Sequence, residues 1–260
     1  MYQSSVSKEL KDEILSNLYM LIGRSICQGL YAFKGWYVLS KKVGGKVRRT
    51  SDIDISVLNE YTFALSISSV NGYLNELKRN GLILDYDVKM PKIVDGKNVS
   101  GGVKLYTKLN GNSRKRLLCG IDISIHSVSL GVERSADGFC QYSNELMIAD
   151  KISVLYSSES SIMRRIRDIV DIYLISYICD KKKFNGYMVL GWLKYRGVSI
   201  SRISTLELML SENPDKVYRK VEELLASGKR VDSSLLSSFN TNIKEIVRTS
   251  TSLLAYLRRL

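Results

Sequence analysis

Asp52 and Asp54 stand two residues apart in SDIDISV, and Asp122 stands in GIDISI, a near copy of the same run. In an extended strand, residues i and i+2 project from one face, so Asp52 and Asp54 share a side. If the strand bearing Asp122 lies beside theirs, three carboxylates converge there. Such a set suits a hard divalent cation, Mg2+ or Mn2+, which takes oxygen ligands. Two metals so held can clamp an attacking oxygen, a leaving oxygen and a triphosphate. The same residues also serve a strand face that merely meets water, and the acid pair alone does not separate the two readings.

The surrounding elements bear on that choice. Gly35 closes the apolar run LYAFK and precedes WYVLSKKV. A glycine there lets the backbone approach closely, and a helix that follows would present its N-terminus to phosphate. Leu10, Ile14, Leu18, Leu21 and Ile22 recur at helical spacing, predicting an amphipathic helix over 8–26 that packs on a sheet. Residues 30–35 read as a short buried strand, 36–43 as one or two helical turns, and GGKVRRT as a polar loop. SDIDISV alternates acids and serine with isoleucine and valine, the pattern of a strand with one polar face. A helix is expected over 62–79, closed at Asn80-Gly81. LILDYDVKM, GGVKLYTKL and LLCGIDISIHSV read as strands separated by turns at Asp95-Gly96 and Asn110-Gly111. Their spacing favours antiparallel or mixed pairing over a regular βαβ repeat. After about residue 140 the period becomes helical. The expected fold class is α/β (α+β): a mixed sheet with flanking helices over 1–138, followed by a helical C-terminal domain over 139–260.

Composition narrows the partners. The chain has 260 residues, 45% hydrophobic and 25% charged, with only two prolines, which excludes disordered and fibrous classes. No apolar run reaches the ~18 residues of a membrane helix. The N-terminal twenty residues carry charges where a signal peptide is apolar, so a cytoplasmic location and no membrane partner are expected. Cys27, Cys119, Cys140 and Cys179 form no C-x-x-C pair and His126 is the single histidine, a set that suits reduced thiols rather than zinc. Lys and Arg number 39 against 26 acids, a net charge of +13 that favours a polyanionic partner. The tracts KKVGGKVRR, NSRKR, DKKKF and YLRRL could line a groove for RNA or simply be solvated. Trp192 and nearby tyrosines could stack on bases or pack a core, and His126 reads as an ordinary strand-end residue ahead of a catalytic one.

The order of motifs resembles a known family. A small-residue turn, R-x-[ST]-x-D-[IL]-D over Arg48–Asp54 and a lone Asp on a later strand resemble the DNA polymerase β-like nucleotidyltransferase superfamily. Downstream, ELMIADKISVLY resembles the E-x-x-x-A-[DE]-K helix, and RIRDIVDIY the R-x-[RK]-D-x-x-D-[LI]-Y run, of the AbiEii/AbiGii toxin branch, which includes the MenT toxins. The likeness covers roughly residues 30–175. It implies the toxin of a type IV toxin–antitoxin or abortive-infection (phage-defence) system. Such an enzyme is Mg2+-dependent, takes an NTP, and transfers a nucleotide to RNA, above all the tRNA acceptor end. It implies as partner an AbiEi-like antitoxin, and the chain itself is expected to be a monomer. By the same resemblance Asp52, Asp54 and Asp122 match the metal-binding and catalytic acids. Arg48 and Thr50 match triphosphate contacts, Lys151 a phosphate-neutralising lysine, and Asp168 a further acid needed for activity, with Arg165 and Arg167 completing its motif. Gly35 matches the phosphate-binding turn, but Trp36 stands where the family has a second small residue. Its ring would crowd the phosphates unless it points away or stacks on the base. Two alternatives stay open: transfer to a protein or small-molecule acceptor, and a degenerate module that binds nucleotide or RNA without catalysis.

Overall fold

The computed structural model describes residues 2–43, 52–94, 97–109, 112–126, 131–156, 165–179, 183–212, 214–226 and 242–260. The chain divides into two units, Met1–Val38 with Thr50–Gln141, and Leu39–Arg49 with Tyr142–Leu260. This differs from a single cut at 138 by assigning Leu39–Arg49 to the second unit. There Lys42 Nζ donates to Tyr142 O at 3.2 Å and to Asn144 Oδ1 at 2.9 Å.

The first unit is built on a seven-stranded mixed sheet. In chain order its elements are α1 (Tyr2–Ser25), β1 (Tyr31–Lys34), the start of α2 (Gly35–Lys42), β2 (Asp52–Val57), α3 (Glu60–Arg79), β3 (Asp85–Lys89), β4 (Lys92–Val94), β5 (Lys97–Val99), β6 (Gly101–Leu109), β7 (Asn112–Ile125), β8 (Val132–Arg134) and β9 (Cys140–Tyr142). The sheet order is β3-β6-β7-β2-β1-β9-β8, while β4 and β5 pair as a separate antiparallel ribbon. β2 runs parallel to β7, and β1 parallel to β9; β1 with β2, β6 with β7 and β3 with β6 are antiparallel. The mixed pairing expected for the 82–128 region is therefore observed. The short strands β4, β5, β8 and β9 are not marked by any alternating run, being three residues each. The turns expected at 95–96 and 110–111 lie outside the described residues.

Alternation decides which face is which. Ile53, Ile55 and Val57 of β2, with Ile121 and Ile123 of β7, are fully buried, and both strands pack against α1 and α3. α1 contributes Ile14, Leu15, Leu18 and Ile22, and Tyr19 lies against Phe33 and Phe139 with ring centroids 4.3 and 5.3 Å apart. α3 begins where Asn59 Oδ1 accepts from Thr62 N at 2.9 Å, an N-cap that satisfies an otherwise orphaned donor. It buries Phe63, Val70, Leu74 and Leu77 and ends at Asn80, followed by Gly81 at φ +69°. With the apolar residues of β2 and β7 committed to this core, Asp52, Asp54 and Asp122 fall on the opposite face.

The second unit is helical: α4 (Asn144–Tyr156), α5 (Ile166–Ile178), α6 (Gly186–Tyr195), α7 (Ile200–Glu212), α8 (Pro214–Ala226) and α9 (Ile243–Arg259). α4 packs on α5 and α6, and α9 on α5 and α7. Trp192 is buried, T-shaped to Tyr142 and stacked on Tyr195. It belongs to the core, while Tyr187 and Tyr195 remain exposed. Among the described residues no helix is long and apolar enough to cross a membrane. All four cysteines are free thiols, and burial pushes Cys119 up to about 12.

Candidate active site

Two registers assemble the acidic face. Asp54 lies directly opposite Asp122 across the parallel β2–β7 ladder, Lys34 lies opposite Asp54 on β1, and Gly102 lies opposite Asp122 on β6. The neighbouring row sets Asp52 opposite Gly120, and Gly120 opposite Lys104. Residues in register project from the same side of a sheet. The three carboxylates therefore share one patch, as the twin DIDIS and GIDIS runs predict.

Gly35 sits at the edge of this patch. It begins α2 with φ +67°, and a Cβ there would collide with the carboxylate of Asp54. Glycine is thus required twice, by the left-handed backbone and by the approach of Asp54. Gly35→Ala should cost about 1–2 kcal/mol for the backbone alone, with a further loss from moving Asp54, and urea unfolding of the two proteins measures it. A variant of unchanged stability would contradict this contact. Trp36, the next residue, is buried with 3% exposure. Its ring is packed rather than offered to solvent as a platform for a base.

Lys104 is the residue that sequence reasoning missed. Its Nζ lies 3.0 Å from Asp122 Oδ1 and 3.5 Å from Asp52 Oδ1. The exposures of these side chains are 34% for Lys104, 26% for Asp52 and 46% for Asp122, so the patch is open to solvent. Burial pulls the Lys104 ammonium down, but the hydrogen bond to Asp122 and the charges of Asp52 and Asp122 outweigh it and hold the group above its ordinary range. In GGVKLYTKL this lysine looks like any polar residue of an alternating strand. Only the β6–β7 register, with Gly120 opposite, brings it to the acids. Lys34 was missed for the same reason: its place opposite Asp54 depends on a pairing that no motif encodes.

Does the patch fit a divalent cation? Among the described residues no ready-made group of three His, Cys, Asp or Glu side chains surrounds a metal position. The donor chemistry fits nonetheless: three carboxylates lie on one side, with a cationic nitrogen already drawn between two of them.

The downstream motifs form a second cluster within the helical unit. Lys151 on α4 donates to Asp168 Oδ1 at 3.0 Å and to Asp171 Oδ2 at 2.6 Å, and Arg165 Nε donates to Asp168 Oδ2 at 2.8 Å. Both acids are 1% exposed. Spacing alone allows either acid to orient either cation; in the structure Asp168 takes both and Asp171 takes Lys151. Arg167 is half-buried on α5. Arg48 and Thr50 lie outside the described residues, as does much of the basic tracts at 41–49 and 180–184, while the tract at 112–116 begins β7. His126 is half-buried and extends the β2–β7 ladder, its N–H donating to Val57 O at 2.8 Å.

Comparison with solved structures finds this fold in JHP933 from Helicobacter pylori, with a TM-score of 0.52, 15% identity, and coverage of 94% of this chain and 90% of that one. A second H. pylori structure, described provisionally as a nucleotidyltransferase, covers 94% of this chain and 93% of its own at 13% identity and TM-score 0.49. At these identities the first likeness concerns the fold alone, and the second adds no weight. No family model matches the sequence, and no curated protein does. The mixed sheet with flanking helices and a helical C-terminal region is the α/β architecture expected from the sequence.

Proposed function

We propose that the protein is a nucleotidyltransferase that transfers a nucleoside monophosphate from an NTP to RNA. The AbiEii-type reading makes it the toxin of a toxin–antitoxin or abortive-infection system, acting in the cytoplasm on the 3′ acceptor end of tRNA, with an AbiEi-like antitoxin as partner. The observation that carries the proposal is the register Asp54–Asp122 beside Asp52, at a glycine that Asp54 itself requires. The motif order and the charge of +13 support a nucleic-acid acceptor.

Asp52, Asp54 and Asp122 would hold Mg2+. Bound there, the metal supplies charge neutralisation of the triphosphate and of the attacking oxygen. Asp122, more exposed than Asp52, would accept the proton of the incoming 3′-hydroxyl. The hydroxyl oxygen bonds to the α-phosphorus, the α–β bridging bond breaks, and pyrophosphate leaves with its electron pair. Gly35 leaves the approach to Asp54 free of a side chain.

The acceptor is tested with α-labelled NTPs, Mg2+ and total tRNA, either intact or oxidised with periodate to destroy the 3′-diol. Label is expected in intact tRNA alone. Equal labelling of both would overturn the 3′-end assignment, and label in added protein would favour a protein acceptor. A non-catalytic RNA- or nucleotide-binding module is the second reading, favoured by Lys104 already neutralising two of the acids. RNA binding without Mg2+-dependent binding of NTP in calorimetry would select it.

A further inference from the structure

We propose that Lys104 is an internal counter-cation, holding Asp52 and Asp122 together until a divalent cation displaces it. The inference rests on the metal-binding reading of the acidic face, but concerns a residue that reading does not use.

Three features point to it. Lys104 contacts both carboxylates at once, at 3.0 and 3.5 Å, so its nitrogen lies in the space a shared metal would need. Its stem crosses the one position on β7 that has no side chain. A Cβ on Gly120 would lie 3.1 Å from both Asp52 Oδ1 and Lys104 Cδ. The glycine is therefore the saddle over which the lysine reaches β2. Finally, the lysine is built to leave. A third of its side chain is exposed, at 34%, and a four-carbon stem with a compact charge can swing out, whereas a bidentate arginine would be fixed.

The physical consequence is competition. Carboxylate oxygens coordinate Mg2+ at about 2.0–2.1 Å, and an ammonium cannot stay between the same oxygens. Without Lys104 the neighbouring acids repel in the metal-free protein, and a metal would gain that repulsion as binding. The device makes metal binding conditional and keeps the face folded when metal is absent.

The test measures Mn2+ binding to the nucleotide-free protein by the loss of the free-ion paramagnetic resonance signal. Lys104→Met should bind Mn2+ at least about tenfold more tightly than wild type, given the strength of a charge contact at this distance. Lys115→Met removes a charge of the same strand set that pairs with Asp85 instead, and should change the affinity less than about threefold. Metal-free Lys104→Met should melt lower than wild type and regain more on adding Mg2+, as expected when a ligand binds the folded state. If Lys104→Met folds poorly, Lys104→Gln, uncharged but still a donor to Asp122, replaces it with the same expectation. Equal or weaker Mn2+ binding by the Lys104 variants overturns the competition while leaving the metal site intact. If wild type and variants alike fail to bind Mn2+, the metal-binding reading falls and the proposal with it.

Discussion

Asparagine in place of Asp54 is expected to slow nucleotidyl transfer at least about a thousandfold, the several kcal/mol that metal-assisted charge stabilisation supplies. The substitution is close to isosteric, so the packing of the side chain against Gly35 is kept. What is lost is the charge at the centre of the row Lys34–Asp54–Asp122. A neutral amide does not hold a hard cation comparably. Urea unfolding should therefore differ little between the two proteins, which separates a chemical loss from a folding loss. Asp87→Asn, an exposed acid on β3 of the same sheet, serves as the control and should leave the rate unchanged. Transfer by Asp54→Asn within tenfold of wild type would contradict the assignment of this face.

The second large effect is on stability. Asp168→Ala should destabilise the helical unit by about 3–5 kcal/mol, the usual cost of removing one partner from a buried ion pair. Asp168 is 1% exposed and accepts from both Lys151 and Arg165. Its loss removes one of the carboxylates that Lys151 engages and the carboxylate that Arg165 engages. The melting temperature should fall by roughly 6–20 °C for a chain of this size. The pH dependence has a definite sign. Burial raises the Asp168 carboxyl, but the charge of Lys151 and the hydrogen bond and charge of Arg165 outweigh it and hold it below the ordinary range. A carboxyl depressed in the folded state adds stability above its unfolded value, about 3.9, and loses it as pH falls through the folded value. The gap between wild type and Asp168→Ala should thus be full at pH 7 and shrink below about pH 4. Denaturant melts at pH 7 and pH 3 measure it, and a gap under about 1 kcal/mol at pH 7 would mean that the pair contributes little.

These two clusters were legible in the sequence to different degrees. The acids announced themselves because period-2 alternation with isoleucine dictates one face, and because DIDIS and GIDIS repeat the same alternation. The core helices were legible from their apolar spacing: α1 buries Ile14, Leu18 and Ile22, as the pattern at 8–26 requires. Lys104 was not legible. Its role depends on a β6–β7 register and on a missing side chain at Gly120, and neither leaves a trace in local composition. The signal that could have found it is the alternation Gly102, Lys104, Tyr106, read together with the pairing of β6 against the strand of Asp122. Lys151 posed the opposite difficulty. The motif assigns it to phosphate, whereas in the structure two buried carboxylates already engage its ammonium. A structural role accounts for that geometry without a ligand. The strands β8 and β9 were invisible because three residues are too few to show a period.

The measurement that bears most directly on the acidic face as a nucleotidyl-transfer site uses one NTP labelled at either of two phosphates. Wild-type protein is incubated with Mg2+, RNA and the same triphosphate carrying label on the α- or the γ-phosphorus. The α-label is expected to move into RNA and the γ-label to be released as pyrophosphate, and Asp54→Asn is expected to do neither. Transfer of the γ-label to the acceptor, or α-transfer that persists in Asp54→Asn, would contradict that role of the acidic face.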